Sequence, residues 1–385
     1  MKKIAVVTAT RAEYGILRPL IFRLKQEKGF RLQLVVTGMH LLEQYGNTRK
    51  EIEGDGLPIF LEIPILEPGN TPYDISVTMA NAIRGFAQYF RDEKPDLLIV
   101  LGDRTELLGI CAAALNEGVP IAHLHGGERT EGVVDDCIRH AVTKMSYLHF
   151  AATEEYRKRI IQLGEEPDRV FQVGALGVEN ILHLPLLTYE ETCRELGLSK
   201  EQRYVVVTFH PVTLEEDTAE SQTRELLAAM EQKSEFFYLI TKANADAGGA
   251  RVNALLESMA AKCENMRLVS SLGVLRYLSA VKYSAFVLGN SSSGIIEAPA
   301  LGTPTVNIGD RQRGRQLAET VISCAPVCGE IKEAMEKASQ MEAKASLLYG
   351  DGNTSEKIVN IVKEFFSQDR IKRKKTFYDV EWQEK

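Results

Sequence analysis

Apolar positions along this chain fall into short, nearly unbroken runs, separated by stretches where they recur every three or four residues. The runs at 3–8, 31–37, 97–101, 121–124 and 148–152 are rich in Val, Ile and Leu. Runs of that length without polar alternation are expected of strands buried on both faces of a parallel sheet. Between them, 17–27, 74–93, 105–117 and 136–144 carry helical spacing. The alternation is a βαβ series, and such a series winds into a sheet covered by helices on both faces.

The second half repeats the pattern. Strands are predicted at 204–209, 236–240, 266–268, 285–288 and 305–308, and helices at 215–233, 251–262, 273–281, 293–301 and 355–366. The pattern breaks at a Pro-containing loop, 182–188, which places the domain boundary. The reading is two Rossmann-like domains, 1–185 and 186–385, with the last helix able to pack back on the first. Two such halves facing each other across a cleft suggest a glycosyltransferase-B-like α/β architecture. A single large Rossmann enzyme is the alternative.

Length agrees with this division, since 385 residues exceed one ordinary core. Contents of 44% hydrophobic and 26% charged residues are those of a globular protein in water. A net charge of −7 leaves no basic excess to neutralise phosphates, which argues against a nucleic-acid partner. An anionic small molecule would instead need a local cluster of Arg, Lys or helix N-termini. The opening apolar run meets Thr8, Thr10, Arg11 and Glu13 too soon to be a signal peptide, and no stretch is long enough to span a bilayer. The six cysteines include no paired CxxC spacing, so reduced thiols in a cytoplasmic enzyme are expected and a zinc site is not. The basic run 370–375 reads either as a solvated terminus or as a phosphate or lid element.

In open parallel sheets ligands bind at the carboxyl ends of strands, so the residues just after each run carry the chemistry. After the first comes Thr8-Ala9-Thr10-Arg11, which is not GxGxxG but suits a diphosphate through backbone N–H groups and a guanidinium. Arg11 fits a surface ion pair equally well. Gly102-Asp103-Arg104 follows 97–101, with Asp103 expected at a helix N-cap. The densest polar run is His123-Leu124-His125-Gly126-Gly127-Glu128, followed by Asp135-Asp136 at a helix start and by His140. Carboxylates beside imidazoles can hold one protonated and one ionised group together, which acid–base work requires. The HxH spacing also raises a metal, although a substrate diphosphate can hold a divalent ion by itself.

In the second half His210 follows a strand, and Asn244 and Asp246 offer groups for a ribose or base. Gly289-Asn290-Ser291-Ser292-Ser293-Gly294 leads into a helix and makes an anion cradle of N–H donors, with Glu297 one turn on for ribose hydroxyls. Arg311, Arg313 and Arg315 supply the missing positive cluster.

Taken together, Arg11-Ala12-Glu13-Tyr14, Gly38-Met39-His40-Leu41, Gly102-Asp103-Arg104, Gly126-Gly127-Glu128, Asp135-Asp136, Ile138-Arg139-His140, His210-Pro211-Val212-Thr213, the Gly289–Gly294 loop and Arg311–Arg315 resemble the hydrolysing UDP-N-acetylglucosamine 2-epimerases of sialic acid biosynthesis. The likeness runs over nearly the whole chain. It implies a glycosyltransferase-B fold, a homodimer or homotetramer, no redox cofactor, and conversion of UDP-N-acetylglucosamine to N-acetylmannosamine and UDP. Position by position, it implies that Arg11, His210, Asn244, Asp246, Ser291, Ser292, Glu297 and Arg311 hold UDP. Asp103 and Asp135 would be catalytic carboxylates. The chain departs from the family pattern at His125, where a carboxylate is usual, and this leaves His125 and Glu128 as alternatives for one acid–base group. A related branch acting on UDP-2,4-diacetamido-2,4,6-trideoxyglucose is similar, as are the non-hydrolysing epimerases. A glycosyltransferase would need an acceptor site, and a nucleotide-sugar sensor would have no use for the acidic cluster.

Overall fold

The computed structural model describes residues 1–43, 47–69, 71–129, 134–210, 218–242, 249–269, 272–371 and 374–381. The chain divides into two units, one of Met1–Asn180 with Gly350–Lys385 and the other of Ile181–Tyr349.

The first unit is built on a parallel sheet of β1 (Lys2–Thr8), β2 (Phe30–Thr37), β3 (Leu61–Ile63), β4 (Leu97–Leu101), β5 (Ile121–Leu124), β6 (Leu148–Ala151) and β7 (Val170–Gln172), ordered 3-2-1-4-5-6-7. Its helices are α1 (Arg11–Gln26), α2 (Arg49–Gly54), α3 (Pro72–Glu93), α4 (Thr105–Glu117), α5 (Val134–Met145), α6 (Glu154–Gln162) and α7 (Leu176–His183). Side chains alternate across a strand, so β1 feeds two cores. Ile4 and Val6 join α1's Leu17, Leu20, Ile21 and Leu24 on one face. Ala5 and Val7 join Phe86, Phe90, Leu107 and Ile110 from α3 and α4 on the other.

The second unit repeats the plan with β8 (Tyr204–Thr208), β9 (Phe237–Thr241), β10 (Met266–Val269), β11 (Val287–Gly289), β12 (Thr305–Ile308) and β13 (Val321–Cys324). All are parallel, in the order 10-9-8-11-12-13. Its helices are α8 (Tyr189–Leu196), α9 (Thr218–Gln232), α10 (Gly249–Ala260), α11 (Gly273–Tyr283), α12 (Ser293–Ala300) and α13 (Cys328–Gln340), and α14 (Thr354–Ser367) follows. Two Rossmann-like α/β units are therefore present, as the alternating pattern predicts.

Three features differ from the sequence reading. The division falls inside α7 rather than in the 182–188 loop, because a helix already spans Leu176–His183. Residues 350–385, assigned to the second domain with its last helix able to pack back, group as a whole with the first unit, because Ile358, Val359, Val362 and Phe365 of α14 complete the α1-side core. The basic tail is also not merely solvated. Lys375 Nζ lies 2.7 and 2.8 Å from the carbonyls of Lys144 and Ser146, and 2.8 Å from both oxygens of the fully buried Glu165 carboxylate. Arg370 pairs with Asp168 at 2.9 Å, and the Tyr378 N–H reaches the Gly164 carbonyl. Among the described residues no helix is long and apolar enough to cross a membrane.

Candidate active site

In the first sheet the winding reverses between β1 and β4, so the loops after them part and leave a crevice at their carboxyl ends. Three segments meet there. After β1, Thr10 caps α1 by accepting from the Glu13 N–H, and the Glu13 carboxylate returns to the Ala9 N–H at 2.7 Å. Glu13 is buried with Oε1 unpartnered in the described structure. Burial, with help from the neighbouring charge of Glu106, raises its carboxyl to about 7. Arg11 points elsewhere: its side chain is 72% exposed and pairs with Glu51 at 2.8 Å, the surface ion pair its position allowed.

After β4, the Gly102 N–H donates to the Leu124 carbonyl at 3.0 Å. His123 Nε2 lies 2.7 Å from the Gly102 carbonyl, and Nδ1 lies 3.1 Å from the Thr143 hydroxyl. Burial drives this imidazole down to about 3, so it is neutral. A carbonyl only accepts, so Nε2 carries the proton and Nδ1 accepts from Thr143. His123 thus braces the Gly102–Asp103 turn from below. Asp103 is not the expected N-cap of α4. Arg104 occupies that position without a side-chain cap bond, and the Asp103 carboxylate is drawn instead to the Arg139 guanidinium.

After β5, His125 has φ +63°, a left-handed conformation for which a non-glycine residue is strained by roughly 1–3 kcal/mol. Its Nδ1 lies 2.9 Å from Glu128 Oε1, while Nε2 is buried without a hydrogen-bond partner among the described residues. The two glycines between them are required by space. A Cβ on Gly127, at φ +77°, would fall 2.3 Å from the Tyr156 carbonyl, and one on Gly126 would press on His123 and Thr143 at 3.0 Å.

Helix α5 ties these pieces together. Ile138 and Val142 face the core and carry the buried Arg139 with them. Arg139 donates to Asp103, to the Glu128 carbonyl at 2.9 Å and to Asp136 at 3.1 Å. His140 approaches Asp136 at 3.5 Å, and burial lowers its ring. Burial and then the charge of Asp103 raise the Asp135 carboxyl, with Arg139 and Arg104 pulling the other way. The cluster therefore gathers a carboxyl of raised proton affinity, Asp135, with the Asp103 carboxylate and an imidazole, the groups that proton transfer in both directions requires. Arg139 and Glu13 were not singled out as site residues from sequence. Their signals were present, as an Arg three residues after Asp136 on one helix face and a Glu three residues after a capping Thr.

A second constellation lies on the other unit, where the winding reverses between β8 and β11. Asn290 spans that point: its side chain accepts from the His210 N–H and donates to the His210 carbonyl, both at 2.8 Å. His210 itself is buried. A Cβ on Gly289, at φ +138°, would lie 2.0 Å from the Thr208 carbonyl, so only glycine lets the strands close here. The Asn290 carbonyl accepts from Arg311 at 3.2 Å and from Gln312 at 2.9 Å, which fixes the arginine loop beside the serines. Ser291 and Ser292 open α12, with the Ser293 N–H 3.3 Å from Ser291 Oγ. Burial raises the Glu297 carboxyl against the pull of Arg315. Asn244, Asp246 and 211–213 lie outside the described residues.

The family model for UDP-N-acetylglucosamine 2-epimerase matches residues 23–363. The chain is 39% identical over 386 residues to the polysialic acid biosynthesis protein P7 of Escherichia coli, covering 99% of this chain and 98% of that one. It is 38% identical over 344 residues to the hydrolysing GDP/UDP-N,N'-diacetylbacillosamine 2-epimerase of Campylobacter jejuni, covering 89% of each. A crystal structure of the UDP-GlcNAc 2-epimerase of Neisseria meningitidis bound to UDP-GlcNAc superposes with a TM-score of 0.78 at 20% identity, over 94% of this chain and 100% of that one.

Proposed function

This chain belongs to the UDP-N-acetylglucosamine 2-epimerase family, and from that premise we propose that it is a cytoplasmic, hydrolysing 2-epimerase that turns UDP-N-acetylglucosamine into N-acetylmannosamine and UDP. The observation that carries the reading is the Asp103–Asp135 carboxylate pair, organised by Arg139 and backed by His125 and Glu128. Epimerisation with loss of UDP needs that equipment. A base removes the C2 proton, the C1–O bond breaks, and UDP departs to leave a glycal. Water then adds at C1 while a proton returns to C2 on the opposite face, so two groups must serve C2 from two sides. The C2 proton is weakly acidic, so a positioned base contributes about 10²–10⁴-fold. The Ser291, Ser292 and Arg311 cradle stabilises the charge that collects on the departing diphosphate. In this reading His210, Asn244, Asp246 and Glu297 complete the nucleotide site.

Relatives support a second reading for the sugar. Those 38% and 34% identical are hydrolysing 2-epimerases for N,N'-diacetylbacillosamine carried on nucleotide. N-acetylglucosamine is favoured because the 39% identical relative is named for polysialic acid biosynthesis, and sialic acids are built from N-acetylmannosamine. Incubation with each UDP-sugar, followed by NMR, tests both. Release of UDP and free N-acetylmannosamine is expected. An equilibrium between two UDP-sugars without free sugar would reject hydrolysis. A hundredfold higher kcat/KM for the 4-acetamido sugar, about 2.7 kcal/mol, would transfer the assignment to that substrate.

A further inference from the structure

We infer that His125 and Glu128 form a catalytic dyad in which His125 Nε2 is the base that takes the C2 proton and Glu128 is the positioning residue that aims it. The inference rests on the proposed 2-epimerase reaction and deepens it. Glu128 Oε1 sits 2.9 Å from Nδ1, and a carboxylate there accepts, so Nδ1 carries the ring proton and Nε2 presents a lone pair. That lone pair is buried and has no partner among the described residues. Buried ring nitrogens normally find one, and this one lies just past the carboxyl end of the central strand β5. Strand β5 pairs with β4 in the register Leu101↔Leu124, so the ring stands one strand away from Asp103.

The backbone adds an independent sign. His125 holds φ +63°, a conformation glycine adopts freely and histidine does not. A residue selected only to make this turn would be glycine, as it is two positions later at Gly127 with φ +77°. Arg139 binds both the Glu128 carbonyl and the Asp103 carboxylate, so one guanidinium ties the turn that carries the dyad to Asp103.

The step balances without a further reagent. The C2–H electron pair becomes the C1=C2 bond, the C1–O pair leaves with UDP, and the proton joins Nε2. The resulting imidazolium is neutralised by Glu128. The proton that returns to C2 on the other face comes from the Asp103–Asp135 pair, and solvent restores both groups as water adds at C1.

The test is His125→Gly in the full-length protein. It removes the imidazole and relieves the positive φ, so the variant should melt no lower than wild type. Its kcat should fall about 10²-fold or more, with UDP affinity unchanged within about twofold and with partial recovery on adding free imidazole. Glu128→Gln keeps an acceptor but removes the charge that favours imidazolium, and so should lower kcat about tenfold or more while KM and UDP affinity stay within about twofold. A glycine variant within about threefold of wild type would overturn the dyad. So would an inactive one that imidazole does not rescue while Glu128→Gln leaves kcat unchanged. Wild type that releases no UDP from any UDP-N-acetylamino sugar would reject the underlying reaction, whereas an active wild type with an active glycine variant removes the dyad alone.

Discussion

Replacing Lys375 with methionine keeps the length and apolar stem of the side chain but removes the ammonium that closes over Glu165. The cost can be worked from the cage. Burial alone would push the Glu165 carboxyl up, yet hydrogen bonds from His149, Lys144 and Lys375 overcome it and hold the group at about 2, against an ordinary 4.5. At about 1.4 kcal/mol per pH unit the gap is worth roughly 3 kcal/mol, shared among three donors. Lys375 contributes two of the contacts and also satisfies the Lys144 and Ser146 carbonyls. We expect Lys375→Met to lose about 1 kcal/mol at pH 7, the share of one donor in three and below the 3–5 kcal/mol of a fully buried pair, because burial works against the Lys375 ammonium itself and the side chain retains 24% exposure. Because the folded Glu165 has the lower pKa, its contribution is complete above about 4.5 and disappears as pH falls toward 2. The gap between wild type and variant should therefore narrow at pH 3.5. Urea unfolding followed by circular dichroism at both pH values measures it. A loss under about 0.5 kcal/mol at pH 7, or an equal loss at pH 3.5, would refute the reasoning.

Asp103→Asn and Asp135→Asn should each lower kcat by about 10²–10⁴-fold with little change in UDP affinity, measured by steady-state kinetics and calorimetry; near-normal turnover would return both residues to structural roles. Arg311→Ala and Ser291→Ala should weaken UDP binding by roughly 1.5–3 kcal/mol each while leaving the melting temperature nearly unchanged, and unaltered calorimetric affinity in both would remove the cradle from the nucleotide site.

The fold was largely legible because the central strands advertise themselves. β1, β4 and β8 carry unbroken apolar runs, and these strands, like β5 and β12, are buried along nearly their whole length. Those missed lie at or near sheet edges and are three or four residues long. β3 has two of its three residues exposed, and β13 has none buried. Helix α6, Glu-Glu-Tyr-Arg-Lys-Arg-Ile-Ile-Gln, buries only Tyr156 and Ile160, too few to print a periodicity. The tail's contacts are hidden for a related reason. Composition reports a basic run as solvated, and only the fold brings Lys375 to a carboxylate 210 residues earlier. At the site, Asp103, His125, Glu128 and Asp135 were visible as polar residues after buried strands. Their organisation was not, because Arg139, His123 and Asn290 act through contacts made across neighbouring elements. Arg11 shows the opposite error, a motif position whose side chain turns to Glu51.

The central claim is that the sugar loses its C2 proton and its UDP together and regains a proton from solvent. Running the reaction to completion in deuterium oxide and reading the free sugar by proton NMR and mass spectrometry tests it most directly. The account predicts one deuterium at C2 in every molecule of free N-acetylmannosamine, with UDP released in equal amount. Free product that keeps the original C2 proton would contradict it.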